Sequence, residues 1–264
     1  MSNEQRSENP HGIHRVMHDI KRRRLEVLRV TDLTPRMRRI TLGGEQLAGF
    51  LSLGADDHIK LLFATTPAEQ AALETMVLGS PGDDGPKPAM RDYTPRRIDL
   101  AAGELDIDFV LHGDGPAATW AAQAAPGQYL HMGGPRSSTV VPDSFESYWL
   151  IGDETALPAI ARRLEALPAG RRVLAVIEIE DAAERQPLHS AAELEVIWVE
   201  RHQQRLTEVV RQLTPPPGTL YAWVATEAKL SRALRRVLLD EHQVDEQALK
   251  AAGYWRLETD DETL

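Results

Sequence analysis

Hydrophobic and polar residues alternate along the first half of the chain. In LDIDFVLH, residues 105–112, the odd positions are all apolar and the even positions include two aspartates and a histidine. This period of two residues predicts a β-strand with one buried face. Shorter apolar or β-branched runs lie at 37–44, 58–65 and 128–135, and 79–89 has the composition of a loop. Many short strands joined by Gly and Pro turns predict an antiparallel β-barrel, which we expect to have six strands.

The pattern changes in the second half, where apolar runs alternate with helical ones. Residues 148–167 predict a strand, a tight glycine turn and a helix with apolar residues three or four positions apart. Further strands are predicted at 172–180, 194–200 and 219–226, and further helices at 204–213 and 227–242. Strands that alternate with helices are typical of a doubly wound, parallel α/β domain.

These patterns predict a mixed β and α/β protein with a domain boundary near residue 144. The expected parts are a disordered tail over 1–19, the β-barrel domain over 20–143, the α/β domain over 144–256 and an acidic tail over 257–264.

Composition narrows the possible functions. The formal net charge of −10 argues against general nucleic-acid binding, so an anionic ligand would need a local basic pocket. The chain has no cysteine, which excludes disulfides, thiolate iron–sulfur clusters and cysteine zinc sites. No apolar run reaches about 18 residues and the N-terminus resembles no export signal. We therefore expect a cytoplasmic, soluble monomer with no membrane contact.

The turn in LIGDETALPA, residues 150–159, is a candidate nucleotide site. Ligands of open α/β sheets bind at the carboxyl ends of strands and at helix N-termini. Gly152 permits a tight turn, after which Thr155 and Ala156 could present backbone N–H groups to a pyrophosphate. Asp153 and Glu154 suit the helix dipole but would repel phosphate, and an ordinary capped helix remains the alternative.

The stretch RDYTP, residues 91–95, is open to two interpretations until the rest of the chain is considered. On its own it is compatible with a solvated edge strand closed by proline. It belongs, however, to an ordered set of motifs: DDHIKL (56–61), RDYTPR (91–96), DFVLHGDGPAATWA (108–121), GGPR (133–136), GDETALPAI (152–160) and GYWR (253–256). Together these segments resemble the siderophore-interacting protein family, flavin-dependent ferric-siderophore reductases of the ferredoxin–NADP reductase superfamily. The resemblance covers roughly residues 20–256.

The resemblance implies that the barrel binds FAD and the α/β domain binds NADPH, with NADH possible. By this resemblance Arg91 pairs with the FAD pyrophosphate, Tyr93 packs against the flavin or its ribityl chain, and Thr94 hydrogen-bonds near the isoalloxazine. The chemistry agrees, because guanidinium groups match phosphate oxygens and aromatic rings stack on flavins. The second expected flavin segment contains His112, Gly115, Pro116, Ala117, Ala118, Thr119 and Trp120. A histidine that simply ends its strand is the alternative for His112.

The resemblance also implies a ferric substrate, with tris-catecholate siderophores as the expected class. Lys60, Arg136 and His58 are the expected substrate residues, against the alternatives of a solvated lysine, a turn salt bridge and a packed histidine. A nicotinamide delivers two electrons at once and Fe(III) accepts one, and a flavin can divide the pair. Alternatives are a reductase supplied with electrons by ferredoxin, flavodoxin or NADH, and a non-catalytic siderophore-binding or esterase-like protein, although no G-x-S-x-G motif is present.

Departures from the superfamily leave two roles open. VATEAK, residues 224–229, lacks the late Cys-Gly motif, so Glu227 is the polar side chain expected near the hydride, unless it caps a helix. Trp255, or Tyr254, could shield the flavin or simply pack in the core.

The nucleotide preference is also contested. Acids at 178, 180 and 181 favour the ribose hydroxyl of NADH, whereas the family resemblance and arginines at 162, 163 and 185 favour NADPH. We expect NADPH.

Overall fold

The computed structural model describes residues 9–76 and 86–257. It contains two compact units, one formed by residues 15–140 and the other by the segment up to His14 together with the chain from Val141 onward. Residues 1–8 of the expected N-terminal tail, 258–264 of the expected acidic tail and 79–85 of the predicted loop lie outside the described residues.

The first unit is built from strands and two short helices. In chain order these are β1 (His14–Met17), β2 (Arg22–Thr34), β3 (Met37–Gly43), β4 (Ile59–Phe63), α1 (Pro67–Thr75), β5 (Ala89–Tyr93), β6 (Pro95–Asp99), β7 (Glu104–Val110), α2 (Pro116–Gln123), β8 (Tyr129–Gly133) and β9 (Ser137–Val140). Residues 14–17, expected to belong to a disordered tail, instead form β1, which pairs with β9.

Seven of the described strands form one antiparallel sheet in the order β5-β4-β8-β2-β3-β7-β6. Its two edge strands are separated along the chain by Thr94 alone. A flat sheet would hold these edges roughly 29 Å apart, whereas the two residue steps from Tyr93 to Pro95 span at most about 7 Å. The sheet must therefore curl until its edges approach at Thr94.

This curled antiparallel sheet confirms the barrel-like fold predicted from the sequence, but it has seven strands rather than the expected six. The additional strand arises because residues 89–99 divide at Thr94 and Pro95 into β5 and β6. The apolar side chains of alternate strand positions fill the interior, including Leu25, Ile40, Leu61, Ile107 and Phe109.

The alternating aspartates of β7 are themselves buried, which the sequence pattern did not indicate. Asp106 accepts hydrogen bonds from the Thr41 hydroxyl and the Arg97 guanidinium, both at 2.7 Å. Asp108 accepts two from Arg39, at 2.7 and 2.8 Å. These partners compensate the cost of removing each carboxylate from water.

The second unit contains a parallel sheet flanked by helices. Its elements are β10 (Ser147–Gly152), α3 (Leu157–Ala166), β11 (Arg172–Ile179), β12 (Glu193–Glu200), α4 (Leu206–Gln212), β13 (Leu220–Glu227), α5 (Ala228–Arg236) and β14 (Leu249–Trp255). The order β12-β11-β10-β13-β14, with every pairing parallel, confirms the predicted α/β architecture. The chain reverses its direction of winding between β10 and β13, which is where open α/β sheets bind ligands.

Two features of this unit differ from the sequence prediction. Strand β14 was not predicted, because its centre, residues 251–253, consists of small residues that have little β propensity. The predicted helix over 227–242 is α5 followed by a π-helical turn over Val237–Glu241. Among the described helices, none combines the length and the hydrophobicity needed to span a bilayer.

Candidate functional site

The end of β5 carries two of the expected flavin residues on one face. Ladder partners place Arg91 beside Leu61 and Tyr93 beside Ile59, both of which are buried. The ring of Tyr93 packs against Phe109, with 4.5 Å between ring centroids. Burial raises the pKa of Tyr93, although the nearby Arg91 opposes this, so the phenol keeps its proton at neutral pH.

Arg91 and Thr94 retain polar groups that could bind a ligand. The exposed Arg91 guanidinium donates from Nη1 to the carbonyl oxygen of Met90 at 2.9 Å, and its other donors have no partner among the residues that the structure describes. Thr94 is buried where β5 meets β6, yet its hydroxyl has no hydrogen-bond partner among the residues that the structure describes. A guanidinium group and a hydroxyl without a partner in the described chain are therefore close in sequence to the half-buried Tyr93.

The second expected flavin segment forms the start of α2. Gly115 is its N-cap residue and no described side chain caps the helix, so the N–H groups of Ala117 and Ala118 lack intrahelical partners. Gly113, just before it, has φ of +56°, which favours glycine. Such a glycine turn and helix N-terminus suit an anionic phosphate.

Phe109 links the two segments. The ring of Trp120 lies 5.7 Å from Phe109 and 5.8 Å from Phe63, while Tyr93 contacts Phe109 from β5. The structure thus brings Tyr93 and Trp120 onto the same core residue of β7. His112, Gly115 and Thr119 are exposed, and Pro116 is partly buried.

The expected substrate residues lie on neighbouring segments, but their surroundings differ. Lys60 pairs with Gly133 across the β4–β8 ladder, and a Cβ atom on Gly134 would lie 3.8 Å from the carbonyl oxygen of His58. Arg136 is exposed and its guanidinium has no partner among the described residues. His58 is exposed, so the alternative of a packed histidine is wrong.

Lys60 is not a free cation. Its ammonium group forms an ion pair with Asp92, with distances of 2.8 and 3.1 Å to the two carboxylate oxygens. Both residues are exposed and face each other across β4 and β5. Because strand side chains alternate, this pair projects from the face opposite to that of Arg91 and Tyr93.

The GDETALP turn is organised differently from the expectation of a pyrophosphate-binding turn. The Thr155 N–H donates to Asp153 Oδ1 at 2.9 Å, and the Ala156 N–H donates to the Asp153 carbonyl at 3.0 Å. These two N–H groups are therefore used within the turn and are not free for a phosphate. Gly152 remains essential for the turn, because a Cβ atom there would lie 2.4 Å from that of Ala156.

Asp153 joins this turn to β14. It is 1% exposed and accepts a hydrogen bond from the indole Nε1 of Trp255 at 2.8 Å. Burial raises the pKa of Asp153, while the hydrogen bonds from Thr155 and Trp255 oppose the rise. The indole N–H of Trp255 is thus engaged inside the α/β unit, and its expected contact with a cofactor stays a prediction.

Glu227 caps α5. Its Oε2 accepts the N–H groups of Lys229 and Leu230 at 2.6 and 3.0 Å, and the residue is 7% exposed. This matches the helix-capping alternative, and the expected placement of Glu227 beside the hydride stays a prediction. Its carboxylate satisfies the donors that begin α5.

Sequence reasoning missed an ion network at the carboxyl ends of three parallel strands. Arg201, just after β12, contacts Glu154, Glu178 and Glu180 at 2.6, 3.0 and 2.8 Å. Burial raises the pKa of Glu154 and of Glu178, and the Arg201 guanidinium opposes this rise. The sequence feature that could have indicated this network is an arginine directly after an apolar strand. With three carboxylates and one guanidinium, this edge stays formally negative by two charges.

Two of the arginines expected to favour NADPH already contact other side chains of the protein. Arg185 donates to Glu200 at 3.0 Å, and the Arg163 guanidinium lies 5.9 Å from the centre of the Tyr221 ring. These contacts weaken the sequence argument that these two residues bind the 2′-phosphate.

Comparison with known proteins identifies related chains over most of the sequence. Residues 26–139 match the family described as siderophore-interacting FAD-binding domain, and residues 145–258 match the family described as siderophore-interacting protein. The NADPH-dependent ferric-chelate reductase of Escherichia coli is 36% identical over 91% of this chain and 95% of its own. Ferric vibriobactin reductase ViuB of Vibrio cholerae is 30% identical over 89% of each chain. A crystal structure of a siderophore utilization protein from T. fusca superposes with a TM-score of 0.82 and 38% identity, covering 94% of this chain and 97% of that one.

Proposed function

Because the chain belongs to the siderophore-interacting protein family, we propose that it is an NADPH-dependent, FAD-containing reductase of ferric siderophores. The observation that supports this most directly is the convergence of Tyr93 and Trp120 on Phe109, inside the segment that matches the FAD-binding family. Residues 20–143 form the flavin domain in this proposal, and residues 144–256 bind the nicotinamide nucleotide.

The described residues fit FAD. Arg91 and the open N–H groups of Ala117 and Ala118 bind the pyrophosphate, because each offers N–H donors that are not used internally. Tyr93 supplies an aromatic face, and the Thr94 hydroxyl supplies a hydrogen bond near the ring system. His112, Gly115, Pro116, Thr119 and Trp120 complete the expected cofactor segment.

NADPH gives up two electrons together, whereas each Fe(III) ion accepts one. The reaction therefore has to deliver the two electrons one at a time, to two Fe(III) ions. Bound FAD supplies this conversion. Fe(III) is a hard ion that oxygen chelators hold firmly, and Fe(II) is held less well, so reduction releases the metal. The protonated phenol of Tyr93 and the hydroxyl of Thr94 orient the cofactor.

The substrate is an anionic ferric chelate, with a tris-catecholate as the proposed class. A chain of net charge −10 cannot attract such an anion at long range, so the attraction must come from local cations. Arg136 contributes most, because its guanidinium is unpaired in the described chain, whereas Asp92 already neutralises Lys60. His58, exposed two residues before Lys60, is the third proposed substrate residue and offers ring nitrogens that can hydrogen-bond to the chelate.

The nucleotide binds at the carboxyl ends of β10 and β13, where the sheet changes its direction of winding. Gly152 shapes this edge, and the Thr155 side chain and Trp255 border it. The reaction takes place in the cytoplasm, where reduced nicotinamide nucleotides are made, and the enzyme acts as a monomer.

The test begins with the visible spectrum of the purified protein. We expect a yellow protein whose flavin band is bleached by NADPH without oxygen and returns when a ferric siderophore is added, with Fe(II) trapped by a chromogenic chelator. A colourless protein that binds the ferric chelate would instead indicate a binding protein. Bleaching by reduced ferredoxin but not by NADPH would favour the alternative in which ferredoxin or flavodoxin supplies the electrons.

A further inference from the structure

Besides Lys60 and Arg136 of the first unit, the protein has a group of arginines in the α/β unit, between α5 and β14. These elements enclose a surface cavity of about 170 Å³. Three arginines line it: Arg232 and Arg235 from α5, and Arg256 just after β14. Arg256 ends the GYWR motif, but the proposed reaction assigns no role to the three guanidinium groups that a chain of net charge −10 gathers here.

The charge of this cavity is largely uncompensated. Arg235 forms an ion pair with Glu246. Arg232 and Arg256 are both exposed, and neither has a carboxylate partner among residues 9–76 and 86–257. Three guanidinium groups and one carboxylate leave a formal charge of +2.

Small residues bring these charges together around a polar group. Ala228, Ala251 and Gly253 form the rest of the lining. A Cβ atom on Gly253 would lie 2.8 Å from both Cα and Cβ of Ala228, so a larger residue would force α5 away from β14. Ser231 also lines the cavity and is 3% exposed, yet its hydroxyl has no hydrogen-bond partner within the described chain.

We propose that this cavity, formed by Ser231, Arg232, Arg235 and Arg256, binds a phosphate-type dianion. A phosphate monoester carries about −1.5 to −2 charges at pH 7 and offers three acceptor oxygens, which matches the formal charge and the donor set. Guanidinium forks bind phosphate oxygens in pairs. The acidic edge around Arg201 is unsuited to such a group, because its formal charge is negative.

Two sources could supply this chemistry. One is the 2′-phosphate that distinguishes NADPH from NADH. This source rests on the proposed function. The other is free phosphate or a phosphorylated metabolite, whose binding does not depend on any reductase activity.

The decisive measurement is calorimetric titration of the FAD-loaded protein with inorganic phosphate and with 2′-AMP, at low salt in a buffer without phosphate. Arg232→Ala is the test variant, because it removes an unpaired cavity charge. Arg236→Ala is the matched control, because Arg236 is an exposed arginine of the same helix that does not line the cavity. We expect Arg232→Ala to weaken phosphate binding about tenfold or more and Arg236→Ala to change it less than about twofold.

Steady-state kinetics with the same variants then separates the two sources. If the site takes the 2′-phosphate, Arg232→Ala raises KM for NADPH while KM for NADH stays unchanged. If it takes another phosphate, the affinity for inorganic phosphate falls and both KM values are preserved. The proposal is overturned if the wild-type protein does not bind phosphate, if both variants bind it equally, or if Arg232→Ala alters only KM for the ferric acceptor. The phosphate titration is informative even if the protein reduces no siderophore.

Discussion

Replacement of Arg91 by alanine tests the flavin site most directly. The guanidinium makes a hydrogen bond to the carbonyl of its own neighbour, Met90, and the side chain is exposed, so its loss should change the free energy of unfolding of the apoprotein very little. A hydrogen bond to a charged partner contributes about 1.5–3 kcal/mol. Loss of the phosphate contact should therefore weaken FAD binding roughly 10- to 150-fold.

The assay for this prediction has two parts. The flavin content of the purified variant is measured by absorbance after release of the cofactor, and the Kd for FAD is measured by titration of the apoprotein. Lys87→Ala is the control, because Lys87 is an exposed cation four residues earlier in the chain. Arg91→Lys should give an intermediate Kd, since lysine keeps the charge but lacks the planar fork.

Two results would refute the reasoning about Arg91. The first is an Arg91→Ala protein that binds FAD with the wild-type Kd. The second is a variant whose apoprotein has a markedly lower Tm, because flavin loss would then follow from unfolding and not from a missing phosphate contact.

Three further predictions concern the substrate, the acidic edge and pH. Alanine at both Lys60 and Arg136 should raise KM for a ferric tris-catecholate while leaving FAD content and NADPH oxidation by a neutral acceptor unchanged; lost flavin with an unaltered KM would contradict this. Arg201→Ala should lower stability, measured by urea unfolding, towards the low end of about 3–5 kcal/mol, because the side chain is 35% exposed and solvent screens part of its charge; an unchanged midpoint would show that the network does not stabilise the fold. Because burial raises the pKa of Asp153, the neutral carboxyl favours folding below pH 3.8, and this contribution is lost as pH rises through the raised folded pKa. The stability of Asp153→Asn relative to wild type should therefore increase as pH rises above 3.8, whereas a difference that stays constant with pH would show that the pKa of Asp153 is not raised by folding.

Local patterns predicted much of the fold. The period of two in 105–111 gave β7, and the alternation of apolar and helical runs gave the order of β10 to β13. Strand β14 was not predicted because three small residues occupy its centre, and because it is held by hydrogen bonds to β13, which the local sequence does not show. The additional strand of the barrel was not predicted because Pro95, which begins β6, looks in the sequence like an irregularity within a single strand.

Contacts were easier to predict within a short motif than between residues that are distant in sequence. RDYTP placed Tyr93 and Thr94 together in a single stretch, and their role in flavin binding stays a prediction. The expectation that Thr155 and Ala156 present free N–H groups was wrong, because Asp153 accepts both of them; Asp153 also accepts from a tryptophan 102 residues away. Arg201 could not be assigned from the sequence, because its three carboxylates meet only through the register of parallel strands.

The crossing between β5 and β6 restricts where the length of this chain can vary. Thr94 alone separates strands that lie at opposite edges of a seven-stranded sheet. An inserted residue there would slip one strand by one position and turn Arg91 and Tyr93 to the opposite face, or would hold the edges apart. Insertions are accommodated more easily in the exposed turn at 100–103, between β6 and β7, where both strands remain paired. A library of single-residue insertions should therefore yield folded, yellow proteins from that turn and almost none from position 94.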